Sequence, residues 1–360
     1  MSQAPSCYVH GVGTAVPDRA LTTDEAAQLL QKTCRDPRTA KLLRRVARLT
    51  GIETRHLAAL DIQFGENPQP LYKPPDEQPY GPGMGARNAL FERVAGPLVR
   101  RALEAFSPQS LARVQSLVTC SCTHASSPGL EQPIFVHTSV PTTVDRWNLG
   151  FMGCSAALAG LRLIHQTAAL GRHALVVACE ISSLHFQYTD ALDQMTANML
   201  FSDGAAAILL DPEPSTVRIV DCRCAALPAA ADQMVWFADD HGLRLELAQE
   251  LPETLGKNIR PPVEAFLLDN HLAVEQVGHW LVHPGGPQIL DAVQEALGLA
   301  PDALEGSRAV LRRYGNMSSP TILFILRELC ERKVGGWCLA MAFGPGLTIE
   351  MVLLEIKRGE

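Results

Sequence analysis

The sequence predicts an α/β protein with buried sheets, built from two similar halves. Three observations carry that class. Strand-like and helix-like stretches alternate along the chain. The strand candidates are apolar for most of their length, as in sheets covered on both faces. The chain has 360 residues, and at about 100–200 residues per domain that fits two domains or one two-lobed unit. The expected halves are residues 1–213 and 214–360.

The elements justify the class in order. YVHGVGTAVP reads as a first strand and turn. TTDEAAQLLQKTC begins with Thr and Asp and has apolar spacing, so it reads as a helix. Residues 65–84 hold six prolines and fit neither a helix nor a central strand. RNALFERVAGPLVRRALEAF is an amphipathic helix kinked at Pro97, and VQSLVTCSCT is a buried strand. TTVDRWNLGFMGC then leads into the helix SAALAGLRLIHQTAAL and the apolar strand HALVVACEISSL. The first half closes near AAAILLDPEPS, and TVRIVDCRC opens the second. VGHWLVHPGG is a strand followed by the helix PQILDAVQEALGL. RRYGNMSSPTILFILREL is a turn and helix. GWCLAMAFGPGLTIEMVLLEI is two apolar strands around a Gly-Pro-Gly turn.

Composition narrows the function. Hydrophobic residues make up 47% and charged residues 19%, ordinary for a globular protein with a large core. A formal charge of −7 argues against general nucleic-acid binding, which leaves a basic footprint. No run reaches about 18 uninterrupted apolar residues, so no membrane span is expected. No basic start leads into an apolar run at the N-terminus, so no signal peptide is expected. The ten cysteines are scattered, which fits reduced thiols in the cytoplasm. Cys120/Cys122 and Cys222/Cys224 form two Cys-x-Cys pairs. Structural zinc sites use wider knuckles, so no metal is expected.

Three residues carry chemistry. Cys154 follows a glycine and precedes a helix. Free N–H groups and the positive end of a helix dipole stabilise a thiolate there and lower its pKa. The plain alternative is a buried cysteine acting as a small hydrophobe. His283 closes an apolar strand before a Gly-Gly turn, where α/β folds place reacting groups. A satisfied core histidine is the competing reading. Asn316 precedes a helix, where Asn is also a favoured cap. Its functional reading is an amide donor aimed at an anionic centre.

Cys, His and Asn form a known nucleophilic set. In this order, the contexts GC-small-small, HPGG, YGNMSS and FGPGLTIE resemble the type III polyketide synthases. These are the chalcone and stilbene synthase family of the thiolase superfamily, and the closer likeness is to bacterial-type members. The resemblance covers nearly the whole chain. It implies two βαβαβ-type halves packed as α-β-α-β-α layers. It implies Cys154 as the acyl-carrying nucleophile, with His283 and Asn316 holding the thioester oxygen of malonyl-CoA as it loses CO2. Each oxyanion donor is worth roughly 3–4 kcal/mol. Iterative Claisen condensation from an acyl-CoA starter, then cyclisation, needs no metal or redox cofactor. A small pyrone, a resorcinol or a dihydroxyphenyl-type product fits, and a homodimer is expected.

The resemblance also assigns a cavity and a CoA site. Phe201 in NMLFSDGAAA takes the place of the family's aromatic gatekeeper. Leu245 stands where plant members have a second Phe, and Trp236 where chalcone synthases have Gly. His185 and Cys122 stand at plant Thr positions. Ser127 replaces a Met that crosses the plant dimer interface. Ser318 and Glu180 are retained from the polar set that steers cyclisation, and Pro345 lies in FGPG. Arg35, Arg38, Lys41, Arg44, Arg45, Arg48 and Arg55 form a basic stretch. Its plain reading is a solvated helix face. The family binds CoA phosphates here, which implicates Arg45, Arg48 and Arg55, with Gly285 and Gly286 beside them; Leu49 replaces one family lysine. A ketoacyl-carrier-protein synthase III carries His-Gln-Ala-Asn where this chain has HPGG. A non-catalytic thiolase-fold partner would not need all three catalytic positions. A cysteine hydrolase is disfavoured because MGCSA lacks the Gly-x-nucleophile-x-Gly elbow.

Overall fold

A computed structural model describes residues 7–31, 34, 36–59, 71–167 and 171–358. Residues 65–70 of the expected proline-rich loop lie outside the described residues; 71–83 form neither helix nor strand. The first half contains β1 Cys7–Ala15, β2 Ala20–Thr22, α1 Thr23–Gln31, α2 Pro37–Leu49, β3 Thr54–His56 and α3 Met84–Leu103. It continues with α4 Pro108–Ala112, β4 Ser116–Cys120, α5 Glu131–His137, β5 Asp145–Leu149, α6 Ala156–Thr167, β6 Ala174–Ile181, α7 Leu192–Leu200 and β7 Asp203–Asp211. The second half contains β8 Val217–Ala226, β9 Met234–Asp239, β10 Gly242–Leu247, α8 Leu251–Asn258, α9 Arg260–Asp269 and β11 Val277–Val282. It ends with α10 Pro287–Leu297, α11 Glu305–Tyr314, α12 Thr321–Glu331, β12 Gly336–Gly344 and β13 Thr348–Ile356.

The main sheet runs β11-β12-β13-β8-β1-β7-β6-β4-β5. Strands β1 and β8 meet at a short antiparallel seam from Cys7↔Ile219 to Val9↔Val217. Outward from the seam, β1-β7-β6-β4 and β8-β13-β12-β11 are wound alike. Each has two antiparallel pairings and then a parallel one. Only the first half adds an outer strand, β5.

Burial on both strand faces explains the continuous apolar runs. In β6, Leu175, Val177, Cys179 and Ile181 face the outer core under α1–α3, while Ala174, Val176 and Ala178 face the central core. In β13, Ile349, Met351 and Leu353 join the core under α8–α10, while Val352, Leu354 and Ile356 point to the centre. Helices α6 and α12 fill that centre and pack on strands of both halves. The layers are therefore helix, sheet, helix, sheet, helix. A Cβ on Gly160 of α6 would stand 2.9 Å from Val176 Cγ1, so this glycine lets helix and sheet approach closely. The central helices position the site: Cys154 precedes α6 and Asn316 precedes α12.

Candidate active site

Cys154 sits in a 3-10 turn, Gly153–Ser155, at the start of α6. Two glycines hold that turn against the β12–β13 connection. Gly153 has φ 59°, and a Cβ there would lie 2.6 Å from Pro345 Cδ. A Cβ on Gly344 would run into Ser155 Oγ. The FGPG motif is thus a seat for the cysteine turn.

His283 extends the β11–β12 pairing by one residue, its N–H donating to Met341 O at 2.8 Å. Gly285 N–H donates back to His283 O at 2.9 Å. The backbone is pinned, yet the buried ring has no hydrogen-bond partner on Nδ1 or Nε2 among the described residues. Orphaned buried polar groups are rare and mark functional positions.

Asn316 is fixed by the segment that follows α7. Its N–H donates to Leu200 O at 3.0 Å, and its C=O accepts from Ser202 N–H at 2.8 Å. Phe201 therefore bridges Asn316 like a parallel strand residue. The side-chain Oδ1 accepts from Ser318 N–H at 2.8 Å and lies 3.9 Å from Cys154 Sγ. The NH2 end of the carboxamide has no protein acceptor among the described residues. Ser318 holds φ 57°, a left-handed conformation uncommon outside glycine.

All three side chains line one cavity of about 60 Å³. Cys122, Phe201, Trp236, Leu245, Gly285, Ser318 and Pro345 line it too. Met234 and Leu247 share its wall, and the sequence reading missed both. They alternate with Trp236 and Leu245 across the β9–β10 hairpin, in the register Leu245↔Trp236 and Leu247↔Met234. A continuous apolar run, MVWFA, and an alternating one, LRLEL, on either side of DDHG were the available signal for that hairpin.

Burial sets the electrostatics. It pushes the Cys154 thiol up to about 12, against hydrogen bonds to Ser318 and Asn316 that pull it down. It pushes the His283 imidazole down to about 3. A helix N-terminus is expected to lower this thiol, and burial instead leaves it raised. A proton passing from Cys154 to His283 would create opposite charges that attract each other across the shared cavity.

Four assignments need correction. Arg55, expected at CoA phosphates, is fully buried. Its Nη1 donates to Asn198 O at 2.8 Å and Phe201 O at 3.0 Å, so it faces the protein interior. Glu180 is buried behind the cavity rather than in its wall. It accepts from Cys122 N–H, Thr123 N–H, Thr123 Oγ1 and Ser319 Oγ, and burial pushes it up to about 7. His185 lies in a separate compartment of about 20 Å³ behind Phe201, Trp236 and Leu245. Its ring nitrogens are taken by Thr123 O and Leu243 N–H, each at 3.1 Å. Gly286 caps α10 outside the cavity wall, while Gly285 lies in it. Arg45 and Arg48 are exposed on α2 and pair with no carboxylate among the described residues. The loop after α2 reaches α10: a Cβ on Gly51 would be 3.8 Å from Pro287. Arg35 lies outside the described residues. No group of three or more metal-capable side chains occurs among the described residues, and no described helix is long and apolar enough to cross a membrane.

Two family models match the chain. Residues 72–223 match the FAE1/type III polyketide synthase-like protein, and residues 219–357 match the C-terminal domain of chalcone and stilbene synthases. The chain is 30% identical to the 1,3,6,8-tetrahydroxynaphthalene synthase of Streptomyces peucetius subsp. caesius, over 96% of this chain and 92% of that one. It is 28% identical to the alpha-pyrone synthesis polyketide synthase-like Pks18 of Mycobacterium tuberculosis, over 97% and 91%. Among solved structures, PKS-I from the brown alga Ectocarpus siliculosus superposes with TM-score 0.90 at 28% identity, covering 99% of both chains. The tetrahydroxynaphthalene synthase of Streptomyces coelicolor A3(2) superposes with TM-score 0.84 at 27% identity, over 98% of this chain and all of that one. The fold, the cavity and these likenesses agree: the chain belongs to the type III polyketide synthases, thiolase-fold acyltransferases that condense malonyl-CoA iteratively into cyclised products.

Proposed function

We propose that Cys154 carries the growing acyl chain, that His283 moves its proton, and that His283 and Asn316 stabilise the enolate of malonyl-CoA. One observation supports this most: a buried imidazole with both nitrogens unpaired shares a cavity with a thiol and a carboxamide. In loading, Cys154 Sγ attacks the acyl-CoA carbonyl while His283 accepts the thiol proton. The C–S bond to CoA breaks, and the CoA thiolate leaves with that proton. His283 is neutral again, and its N–H becomes a donor. Malonyl-CoA then loses CO2. The electron pair moves onto the thioester oxygen, where the His283 N–H and the Asn316 NH2 receive the charge. The enolate carbon attacks the Cys154 thioester, forming a carbon–carbon bond and releasing the Cys154 sulfur. A lowered His283 pKa suits both roles, because the ring must be neutral at the start of each. This chemistry calls for no metal or redox group.

The narrow cavity favours a short product. Trp236 and Phe201 fill space where a long chain would grow, so a small pyrone or resorcinol fits better than an extended one. The Pks18 and tetrahydroxynaphthalene synthase likenesses suggest an alpha-pyrone or a polyhydroxylated aromatic as the product class. Arg45 and Arg48 on α2 are our candidates for CoA phosphates. Ten free thiols fit a reducing cytoplasm. The open edge of β5, with Phe151 and Val136 exposed nearby, suits the second copy of a homodimer.

Labelled malonyl-CoA and a panel of acyl-CoA starters test the reading. Release of CO2 and CoA with a cyclised product is expected. Absence of acylated Cys154 and of CO2 release across the panel would overturn it.

A further inference from the structure

We infer that Arg55 is a positioning residue for the condensation half of the reaction, acting through Phe201 on Asn316. The inference rests on the proposed role of Asn316. Arg55 lies on β3 and is fully buried, with no carboxylate hydrogen-bonded to its guanidinium among the described residues. Its Nη1 instead binds two carbonyls at the end of α7, those of Asn198 and Phe201. Helix ends leave such carbonyls unpaired, and a cation satisfies them. The clamped segment is the one that pairs with Asn316: Leu200 O accepts from Asn316 N–H, and Ser202 N–H donates to Asn316 O. Gly315 completes the contact. A Cβ there would meet Arg55 Cγ at 3.0 Å and Ser202 Cβ at 3.1 Å, so Arg55 packs directly against the backbone that bears Asn316.

The consequence is selective. Cys154 is held by the 153–155 turn and His283 by the extension of β11, and Arg55 hydrogen-bonds to neither among the described residues. Loss of the clamp leaves the thiol and imidazole in place but frees Asn316 and Phe201 to shift. Loading of Cys154 draws on Asn316 only through the long 3.9 Å contact of its Oδ1 with Sγ, whereas malonyl-CoA decarboxylation needs its NH2 end. Arg55 therefore separates the two half-reactions.

Arg55→Met and Arg55→Lys test this in the full chain. Acylation of Cys154 by a starter acyl-CoA is read by mass spectrometry, and decarboxylation by CO2 release from labelled malonyl-CoA. In Arg55→Met, loading is expected to stay within about twofold of wild type while decarboxylation falls roughly 10- to 100-fold, the scale of a displaced catalytic group. Arg55→Lys keeps the charge and one donor, so it should recover part of the loss. Equal losses in both half-reactions, or no loss in a folded variant, would overturn the inference. If Arg55→Met is recovered only as aggregate, Arg55→Lys carries the same test: a smaller split is expected, and parallel losses contradict it. Wild type is the control for the underlying reading. If wild type neither loads nor decarboxylates, the proposed function fails; if it does both and the variants show no split, only the Arg55 assignment fails.

Discussion

Strands β4 and β11 hold matching places in the two halves, and the chain leaving each enters the same cavity. After β4 comes Cys122; after β11 comes His283. Their surroundings differ. Cys122 is tied on every side: its N–H donates to Glu180, its Sγ accepts from Gly153 N–H at 3.0 Å, and its carbonyl accepts from the Trp236 indole at 3.5 Å. Burial and the Glu180 carboxylate both push its thiol up. His283 has its backbone pinned and its ring left unpaired. The same contrast holds at the central helices, where Cys154 precedes α6 and Asn316 precedes α12. Matching positions acquire different chemistry through which polar atoms remain unsatisfied. Two thiols line this cavity, and the proposed function assigns reaction to Cys154, the one facing free donors and acceptors.

Substitutions break or sharpen that contrast. The largest effect is expected from Cys154→Ala, which removes the nucleophile. Product formation should fall by about 10⁴-fold or more, with the unfolding midpoint unchanged by calorimetry. Next comes His283→Ala. It removes the proton acceptor, and condensation should drop roughly 10²- to 10⁴-fold. Its pH behaviour has a definite sign. Burial raises the Cys154 pKa and keeps the His283 ring neutral, so near neutral pH the thiol gives its proton to that ring only as it reacts; without the ring, reaction waits for thiolate formed at higher pH. Iodoacetamide alkylation of Cys154 should therefore slow at neutral pH and recover as pH rises, whereas wild type reacts faster near pH 7. Asn316→Ala should lower decarboxylation by about 10²- to 10³-fold, the scale of one oxyanion donor, and spare loading.

Trp236→Gly should change rate less than product. Trp236, Phe201 and Leu245 separate the Cys154 cavity from the compartment containing His185. Opening that partition should lengthen the product by at least one two-carbon unit in liquid chromatography with mass detection. An unchanged product spectrum would show that Trp236 does not limit chain growth. The smallest effect belongs to Cys122→Ala: condensation should stay within about threefold of wild type, as for a thiol that only packs.

The contrast also marks what was legible in the sequence. Cys154, His283 and Asn316 stand in short motifs whose glycines serve local turns, so each was found from its neighbours in the chain. The alternating strands and helices were legible for the same local reason. Arg55 was grouped with the CoA-binding basic stretch by the family resemblance, whereas its partners are carbonyls some 140 positions away in sequence, which no local motif reveals. Glu180 and His185 were assigned to the cavity by their positions in the family resemblance, which carries no side-chain direction. Their side chains turn instead to the loop after β4 and to β10, which only tertiary pairing decides. Met234 and Leu247 were missed because their inward face depends on the register of a hairpin the motifs do not include.

The central claim is that one of two cavity thiols carries the acyl chain. Wild-type enzyme incubated with a starter acyl-CoA, digested and analysed by peptide mass spectrometry tests it most directly. The acyl mass is expected on the peptide containing Cys154 and not on the peptide containing Cys122. An acyl group on Cys122, or on neither, would contradict it.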